Sequence, residues 1–129
     1  SLRVKPVISI YGNDYNTKDG TCLRDYVHVS DLADIHIKSL DHINSKLKSL
    51  TLNCGYGKGY SVLNIVNIFK KMNKKVKINY AKRRPGDISQ VYADIKKLKK
   101  VLRWKPKHNN LRKILKSAFK WEKLLTNKI

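Results

Sequence analysis

The chain has 129 residues, with 41% hydrophobic and 29% charged residues, which are the proportions of an ordinary globular protein. This length allows one domain with a buried core, and no apolar run is long enough to cross a bilayer. With only two cysteines, Cys22 and Cys54, the composition excludes a disulfide framework and a cysteine metal site. We therefore expect reduced thiols and a cytoplasmic protein.

The formal net charge of +20 raises nucleic acid or an anionic membrane as a partner. The distribution of the charge argues against both, because lysines recur along the whole chain without a block of like charges. In stretches such as DIKKLKKVLRW and NNLRKILKSAFKWEKLL, apolar residues share one helical face and lysines the other. We therefore expect solvated lysine faces, with no nucleic acid and no membrane as partner.

The first half of the chain predicts a strand, a loop and a helix. VISIY, which ends at Tyr11, has the branched and aromatic residues of a strand, and GNDYNTKDGT after it is rich in turn residues. LRDYVHV resumes an extended pattern, and Ser30 and Asp31 then mark the start of a helix. The inward face of that helix is predicted to carry Leu32, Ile35, Leu40 and Ile43.

The second half alternates strands with helices. LTLNC has the pattern of a buried strand, and Ser61 is placed to cap the amphipathic helix VLNIVNIFKKM. KVKINY is a short alternating strand, a short helix follows from about Asp94, and a final helix runs into the C-terminus after the loop WKPKHN. This alternation predicts the α/β class.

The stretch AKRRPGD places two adjacent arginines before a turn and an aspartate. Arginine offers a planar fork of donors that suits carboxylates and phosphates, which lysine does not. Pro85 and Gly86 are typical turn residues and would fix the directions of Arg83, Arg84 and Asp87. Two other interpretations stay open at this point, namely a solvated surface turn and arginines that only pair with nearby acidic residues.

Other candidate residues carry weaker signals. CGYGKGYS has the spacing G-x-G-x-G between a predicted strand and helix, which fits either a tight structural turn or a ligand contact, and differs from the dinucleotide fingerprint. Arg24 is placed to meet an anion or to pair with Asp25 or Asp31. The sequence shows no nucleophile elbow, no Cys/His/Asp constellation and no metal-ligand spacing.

Four motifs together carry a family resemblance. IYGNDYNTKDGTCLRDYVHVSDLADIH, LNCGYGKGYSV, AKRRPGD and LRWKP occur in this order, and they closely resemble the C-terminal part of UDP-glucose 4-epimerases, which are extended short-chain dehydrogenase/reductase enzymes. The resemblance covers essentially residues 1–129. It implies a C-terminal UDP-sugar-binding region whose N-terminal NAD-binding Rossmann domain is missing. The strands RDYVHV and LTLNC and a helix would complete that absent domain.

The resemblance also implies roles for the arginines. Arg84 and Arg24 would be two arms of a clamp on the diphosphate of a UDP-sugar, and Tyr26 would line the pocket near those phosphates. Asp87 would accept hydrogen bonds from ribose hydroxyls. Arg83 would only support the loop.

Three apolar or aromatic positions complete the implied pocket. Tyr11 would help to hold the uracil, and Val62 would pack in the nucleotide pocket. Val91 would lie near the 2-substituent of the sugar ring. Since valine is smaller than the tyrosine of members restricted to unacetylated hexoses, we expect UDP-N-acetylhexosamines to be accepted as well.

By the resemblance, the complete enzyme would interconvert UDP-glucose and UDP-galactose in galactose metabolism through a 4-keto intermediate, with NAD as cofactor and a Tyr-x-x-x-Lys pair as catalytic residues. The chain contains neither the pair nor an NAD site, so no catalytic residue and no metal ligand is expected here. The start, SLRVKPVISIYG, has no lead-in, and we expect the missing N-terminal half as partner, a full-length homodimer, and an isolated chain that is inactive and marginally stable.

Other functions remain open. Within the enzyme class, an epimerase of UDP-pentoses or a nucleotide-sugar dehydratase is a close variant. Outside it, the chain would be a non-catalytic remnant that still binds UDP-sugars, or a basic nucleic-acid-binding protein.

Overall fold

The computed structural model describes residues 7–73 and 75–126. The predicted start of the chain before VISIY and the last residues of the predicted final helix therefore lie outside the described residues. The helices are α1 (Val29–Lys46), α2 (Val62–Met72), α3 (Lys96–Leu102) and α4 (Leu111–Thr126). The strands are β1 (Val7–Tyr11), β2 (Leu23–Arg24), β3 (Tyr60–Ser61), β4 (Lys77–Ala81) and β5 (Gln90–Val91).

The strands form two small sheets. β1 and β4 pair in parallel, with Val7 opposite Lys77 and Tyr11 opposite Ala81. In the second sheet β2 is central, antiparallel to β3 and parallel to β5. Parallel strands need a crossover connection, and here helices supply it. The predicted α/β class is confirmed.

The helix starts follow from local capping. Ser61 caps α2 as predicted, because its side chain accepts a hydrogen bond from the backbone N–H of Asn64 at 3.1 Å. The predicted start of α1 at Ser30 is wrong by a residue. His28 is the cap, and its Nδ1 accepts from the backbone N–H of Ser30 at 3.1 Å, so that α1 begins at Val29.

The predicted strand LTLNC is wrong, and LRDYVHV is a strand only at Leu23–Arg24. Residues 50–54 adopt an irregular conformation, and no backbone hydrogen bond joins them to another segment of the described chain. A strand is defined by such bonds, so a strand-like sequence without a neighbouring strand stays irregular.

The main core lies where α1, α3 and the loops between helices meet. Its buried members are Ile35, Tyr56, Ile95, Leu98 and Trp104. On α1, only Ile35 of the four residues predicted to face inward is buried. An apolar stripe along α1 and its C-cap residue Leu47 therefore stays exposed. We call it the α1 stripe, and its residues are Val29, Leu32, Ile37, Leu40, Ile43 and Leu47.

Asp31 ties α1 to the loop that precedes α4. Its buried carboxylate accepts hydrogen bonds from the Tyr56 hydroxyl at 2.7 Å and from the backbone N–H groups of His108 at 2.9 Å and Lys107 at 3.2 Å. Burial by itself would raise the pKa of Asp31, but these hydrogen bonds outweigh it and lower the pKa. Burial and the bond to Asp31 raise the pKa of Tyr56 to about 12.

We expect Asp31→Asn to lower the free energy of unfolding by about 2–4 kcal/mol, because three donors lose a charged acceptor. Urea unfolding of the natural protein measures it. Since the folded-state pKa is lowered, the contribution is present above the unfolded value of about 4 and is lost as the pH falls through the folded value. The loss in free energy of unfolding caused by Asp31→Asn should therefore become smaller at acidic pH. Asp41→Asn, exposed on the same helix, is the control, and equal losses in both variants would contradict the prediction.

Candidate functional site

β2 places Arg24 at the centre of the second sheet. In the register of that sheet, Arg24 lies opposite Val91 of β5 on one side and Tyr60 of β3 on the other. Backbone pairing alone therefore brings two of the predicted site residues, Arg24 and Val91, side by side from positions 67 residues apart (91 − 24). This pairing orients the segments that follow β4 and precede α3.

The RRPGD segment turns sharply, as the sequence predicts. The backbone N–H of Asp87 donates to the Arg84 carbonyl at 3.2 Å, and Gly86, at the third position of the turn, has φ +80°. This is the geometry of a type II turn with proline second and glycine third. The turn returns the Asp87 carboxylate to Arg84, whose Nε donates to Oδ2 at 3.0 Å.

Arg24 and Arg84 converge on the same carboxylate. Arg24 Nη2 lies 3.4 Å from Asp87 Oδ1, and Arg84 binds the other oxygen. The hydrogen bond with Asp87 raises the pKa of Arg84, which stays charged. The alternative that Arg24 pairs with Asp25 or Asp31 is wrong, because its partner is Asp87. The alternative that the arginines pair with a nearby acidic residue does hold for Arg84 and Asp87. However, the single Asp87 carboxylate pairs with two guanidinium groups, so these three side chains keep a net charge of one positive unit.

Tyr11 completes this group, which we call the arginine cluster: Tyr11, Arg24, Arg84 and Asp87. The guanidinium carbon of Arg84 lies 4.9 Å from the centroid of the Tyr11 ring, at the end of β1. Tyr11 is 42% exposed and the Arg84 side chain 61%, so a ligand can reach both. Within the described part of the chain, the terminal nitrogens of Arg84 have no hydrogen-bond partner.

The remaining predicted residues lie beside the cluster. Val62 is the first residue of α2, and its backbone N–H donates to the Cys22 carbonyl at 3.0 Å, two residues before Arg24. Tyr26 follows Arg24 by two residues, and burial raises the pKa of its hydroxyl. The structure thus brings Tyr11, Arg24, Arg84 and Asp87 into direct contact and places the others on adjoining backbone. Their roles in binding stay predictions.

An open cleft begins at Arg24 and runs past Val91. Its volume is about 540 Å³, and its polar lining includes Asn53 and Asp94. Tyr92, half exposed, is also part of the wall. The sequence did not predict Asn53 or Tyr92 as residues of this cleft.

The glycine-rich loop binds a side-chain carboxylate of this same chain. The backbone N–H groups of Tyr56 and Gly57 donate to the Asp25 carboxylate at 3.0–3.1 Å. Of the two interpretations, a structural turn is the one that the structure favours. Asp25 was missed as its partner, since the two lie 31 residues apart and no local pattern connects them.

The site is built from guanidinium, carboxylate and aromatic groups. Within residues 7–73 and 75–126, no group of three His, Cys, Asp or Glu side chains is arranged to hold a metal ion. Cys22 is buried and Cys54 exposed, and both are free thiols, as predicted. None of the described helices combines the length and apolarity needed to span a membrane.

Comparisons with known proteins match this chain to enzymes that act on nucleotide sugars. Residues 3–117 match the family model of GDP-mannose 4,6 dehydratase. The chain is 44% identical over 126 residues to UDP-glucose 4-epimerase of Azospirillum brasilense, covering 97% of this chain and 36% of that protein. The resemblance to UDP-glucose 4-epimerases stated from the motifs is confirmed.

Solved structures agree. UDP-glucose 4-epimerase from Stenotrophomonas maltophila, with bound NAD and formylated UDP-arabinopyranose, superimposes with a TM-score of 0.88 and 34% identity, covering 95% of this chain and 36% of that one. The UDP-Glc/GlcNAc 4-epimerase of Campylobacter jejuni superimposes with a TM-score of 0.81 and 41% identity, covering 92% of this chain and 36% of that one. The chain spans about a third of the length of these relatives.

Proposed function

Because this chain belongs to the GDP-mannose 4,6 dehydratase family, we propose that it is the UDP-sugar-binding region of a cytoplasmic 4-epimerase that interconverts UDP-glucose and UDP-galactose. One observation carries the proposal. Two arginines distant in sequence, Arg24 and Arg84, converge on Asp87 and leave an excess positive charge, with the terminal nitrogens of Arg84 unpaired among the described residues.

A diphosphate is the ligand that suits this arrangement. Its oxygens would take the free donors of Arg84 and compete with Asp87 for Arg24, and each such charge-assisted bond is stronger than a neutral one. The Asp87 carboxylate, held between the two guanidinium groups, has further lone pairs that would accept hydrogen bonds from ribose hydroxyls. The exposed Tyr11 ring beside Arg84 offers a stacking surface for a uracil.

The sugar would occupy the cleft that leads from Arg24 past Val91. Val91 is 46% exposed on the cleft wall, and a valine leaves room for a substituent at the sugar 2-position. This supports UDP-N-acetylhexosamines as further substrates, and one relative is itself a UDP-Glc/GlcNAc 4-epimerase. A UDP-pentose 4-epimerase is the variant favoured by the UDP-arabinopyranose derivative in the Stenotrophomonas structure.

The described residues do not fit NAD. The amides of Tyr56 and Gly57 in the glycine-rich loop already donate to Asp25, so they are not available to a pyrophosphate. The dinucleotide fingerprint is absent from the sequence as well. This chain would bind and orient the UDP-sugar, and NAD would bind to an N-terminal half.

The exposed α1 stripe supports the proposal that an NAD-binding half packs against this chain. Ile37, Leu40 and the C-cap residue Leu47 are 60%, 61% and 88% exposed, and the stripe runs along one side of α1 to its C-terminal end. Soluble proteins rarely leave such a face uncovered. We propose that the NAD-binding half covers it. Marginal stability of the isolated chain follows, while a homodimer of the complete protein stays a prediction.

The test is an epimerase assay on two samples, the natural protein that carries this chain and the chain alone. We expect the natural protein to bind UDP saturably and to convert UDP-galactose into UDP-glucose, and the chain alone to give no turnover. UDP binding without turnover by the natural protein would indicate the non-catalytic remnant. Retention on DNA or heparin that falls steeply with salt, without UDP binding, would indicate a nucleic-acid-binding protein instead.

A further inference from the structure

Arg83 points away from the arginine cluster, although it is the neighbour of Arg84. Its Nε donates to Asp14 Oδ1 at 2.7 Å, and its Nη2 donates to the Asp14 backbone carbonyl. Its guanidinium carbon lies 4.1 Å from the centroid of the Tyr15 ring, and Tyr15 is 5% exposed. One face of this guanidinium and one of its terminal nitrogens are therefore used within the protein, whereas both terminal nitrogens of Arg84 lack a partner among the described residues.

Gly12 makes this packing possible. It has φ +83°, and a Cβ at this position would lie 2.5 Å from Tyr15 Cε2 and 2.8 Å from Arg83 Cγ. The backbone N–H of Gly12 also donates to the Ala81 carbonyl at 2.9 Å. We call Gly12, Asp14, Tyr15 and Arg83 the Arg83 clip. Gly12 directly follows Tyr11 in the sequence, and Arg83 directly precedes Arg84.

The loop held by the clip is fixed at its other end. Asp19 accepts from the Ser61 hydroxyl at 2.5 Å, and the Thr21 hydroxyl accepts from the backbone N–H of Leu63 at 3.1 Å. The loop is thereby attached to the first turn of α2. Arg83 consequently connects the RRPGD turn to a loop whose position is already set.

We propose that Arg83 is a positioning residue, which acts through the clip to fix the direction of Arg84 toward the diphosphate. This inference rests on the proposed function, since its readout is UDP binding. An exposed ion pair such as Arg83–Asp14 contributes little by itself, with side chains 45% and 69% exposed. The orientation comes from the planar stack on the buried Tyr15 ring, which a lysine cannot reproduce.

The experiment is a double-mutant cycle of Arg83→Lys and Arg84→Ala in the natural protein, with UDP titrated by calorimetry up to millimolar concentration. We expect Arg83→Lys alone to raise the Kd for UDP by about five- to tenfold, and to raise KM for the UDP-sugar with kcat little changed. In the Arg84→Ala background the same substitution should change Kd by about twofold or less, because its effect passes through Arg84. Lys82→Gln, which removes a charge from the same segment, is the control.

The outcomes separate the two proposals. Failure of the unsubstituted protein to bind UDP would overturn the proposed function. UDP binding with an undiminished Arg83→Lys effect in the Arg84→Ala background, or with no effect of Arg83→Lys at all, would overturn the positioning role. Tyr15→Leu, which removes the ring beneath the Arg83 guanidinium, provides a second variant should Arg83→Lys fold poorly, and we expect it to weaken UDP binding in the same coupled way.

Discussion

Arg84→Ala is expected to raise the Kd of the natural protein for UDP by about ten- to a hundredfold, because charge-assisted bonds to a diphosphate contribute about 1.5–3 kcal/mol. Arg84 is the arginine of the cluster whose terminal nitrogens have no partner among the described residues, so it has the most to gain from a ligand. Arg84→Lys keeps the charge and loses the fork, and an intermediate affinity is expected. Calorimetric titration with UDP measures the Kd of the unsubstituted protein and of the two variants.

The control for this prediction is Arg112→Ala, which removes an exposed arginine from α4, outside the cluster. It should leave the Kd for UDP within about twofold of the unsubstituted value, since a distant surface charge acts only through a screened field. An Arg84→Ala protein that binds UDP as well as the Arg112→Ala protein would mean that Arg84 only pairs with Asp87. Thermal melts of both variants show whether a loss of affinity reflects a loss of fold.

Local signals in the sequence predicted those features whose atoms lie within one turn of chain. The Ser61 cap reaches Asn64, and the RRPGD turn closes between Arg84 and Asp87. Residue type decides such contacts, because a serine hydroxyl or a Pro-Gly pair has one favourable local geometry. The same reasoning missed the His28 cap, since Ser30 is also a good capping residue and only the three-dimensional backbone selects between them.

Contacts between distant residues had no such signal. The carboxylate of Asp31 meets the backbone of Lys107, 76 residues along the chain, and nothing around either residue indicates the other. The prediction of a strand at LTLNC was wrong for a related reason. Its composition suits a sheet, but a strand must pair with a neighbouring strand, and the described chain does not supply one. The convergence of Arg24 on Arg84 was likewise implied by the family resemblance, whereas the residues alone left simple ion pairs open.

Val91→Tyr is expected to lower kcat/KM of the natural protein for UDP-N-acetylhexosamines by about tenfold or more, with much less effect on UDP-galactose. Val91 lies beside Arg24 in the sheet and lines the cleft where the sugar would bind. A tyrosine there would fill the space that an N-acetyl group needs. Turnover of both substrate pairs by the unsubstituted protein and by the variant measures the effect as a ratio.

Gln90→Tyr supplies a matched control, because successive side chains of a strand point to opposite faces of the sheet. Gln90 is exposed and is not part of the cleft lining, so the same ring introduced there should leave the substrate ratio unchanged. Normal UDP-galactose turnover without measurable N-acetyl turnover in the unsubstituted protein would show that something other than residue 91 limits the sugar site. Equal loss of N-acetyl activity in both tyrosine variants would trace the effect to a disturbed β5, and a loss confined to Val91→Tyr assigns the 2-substituent to this wall of the cleft.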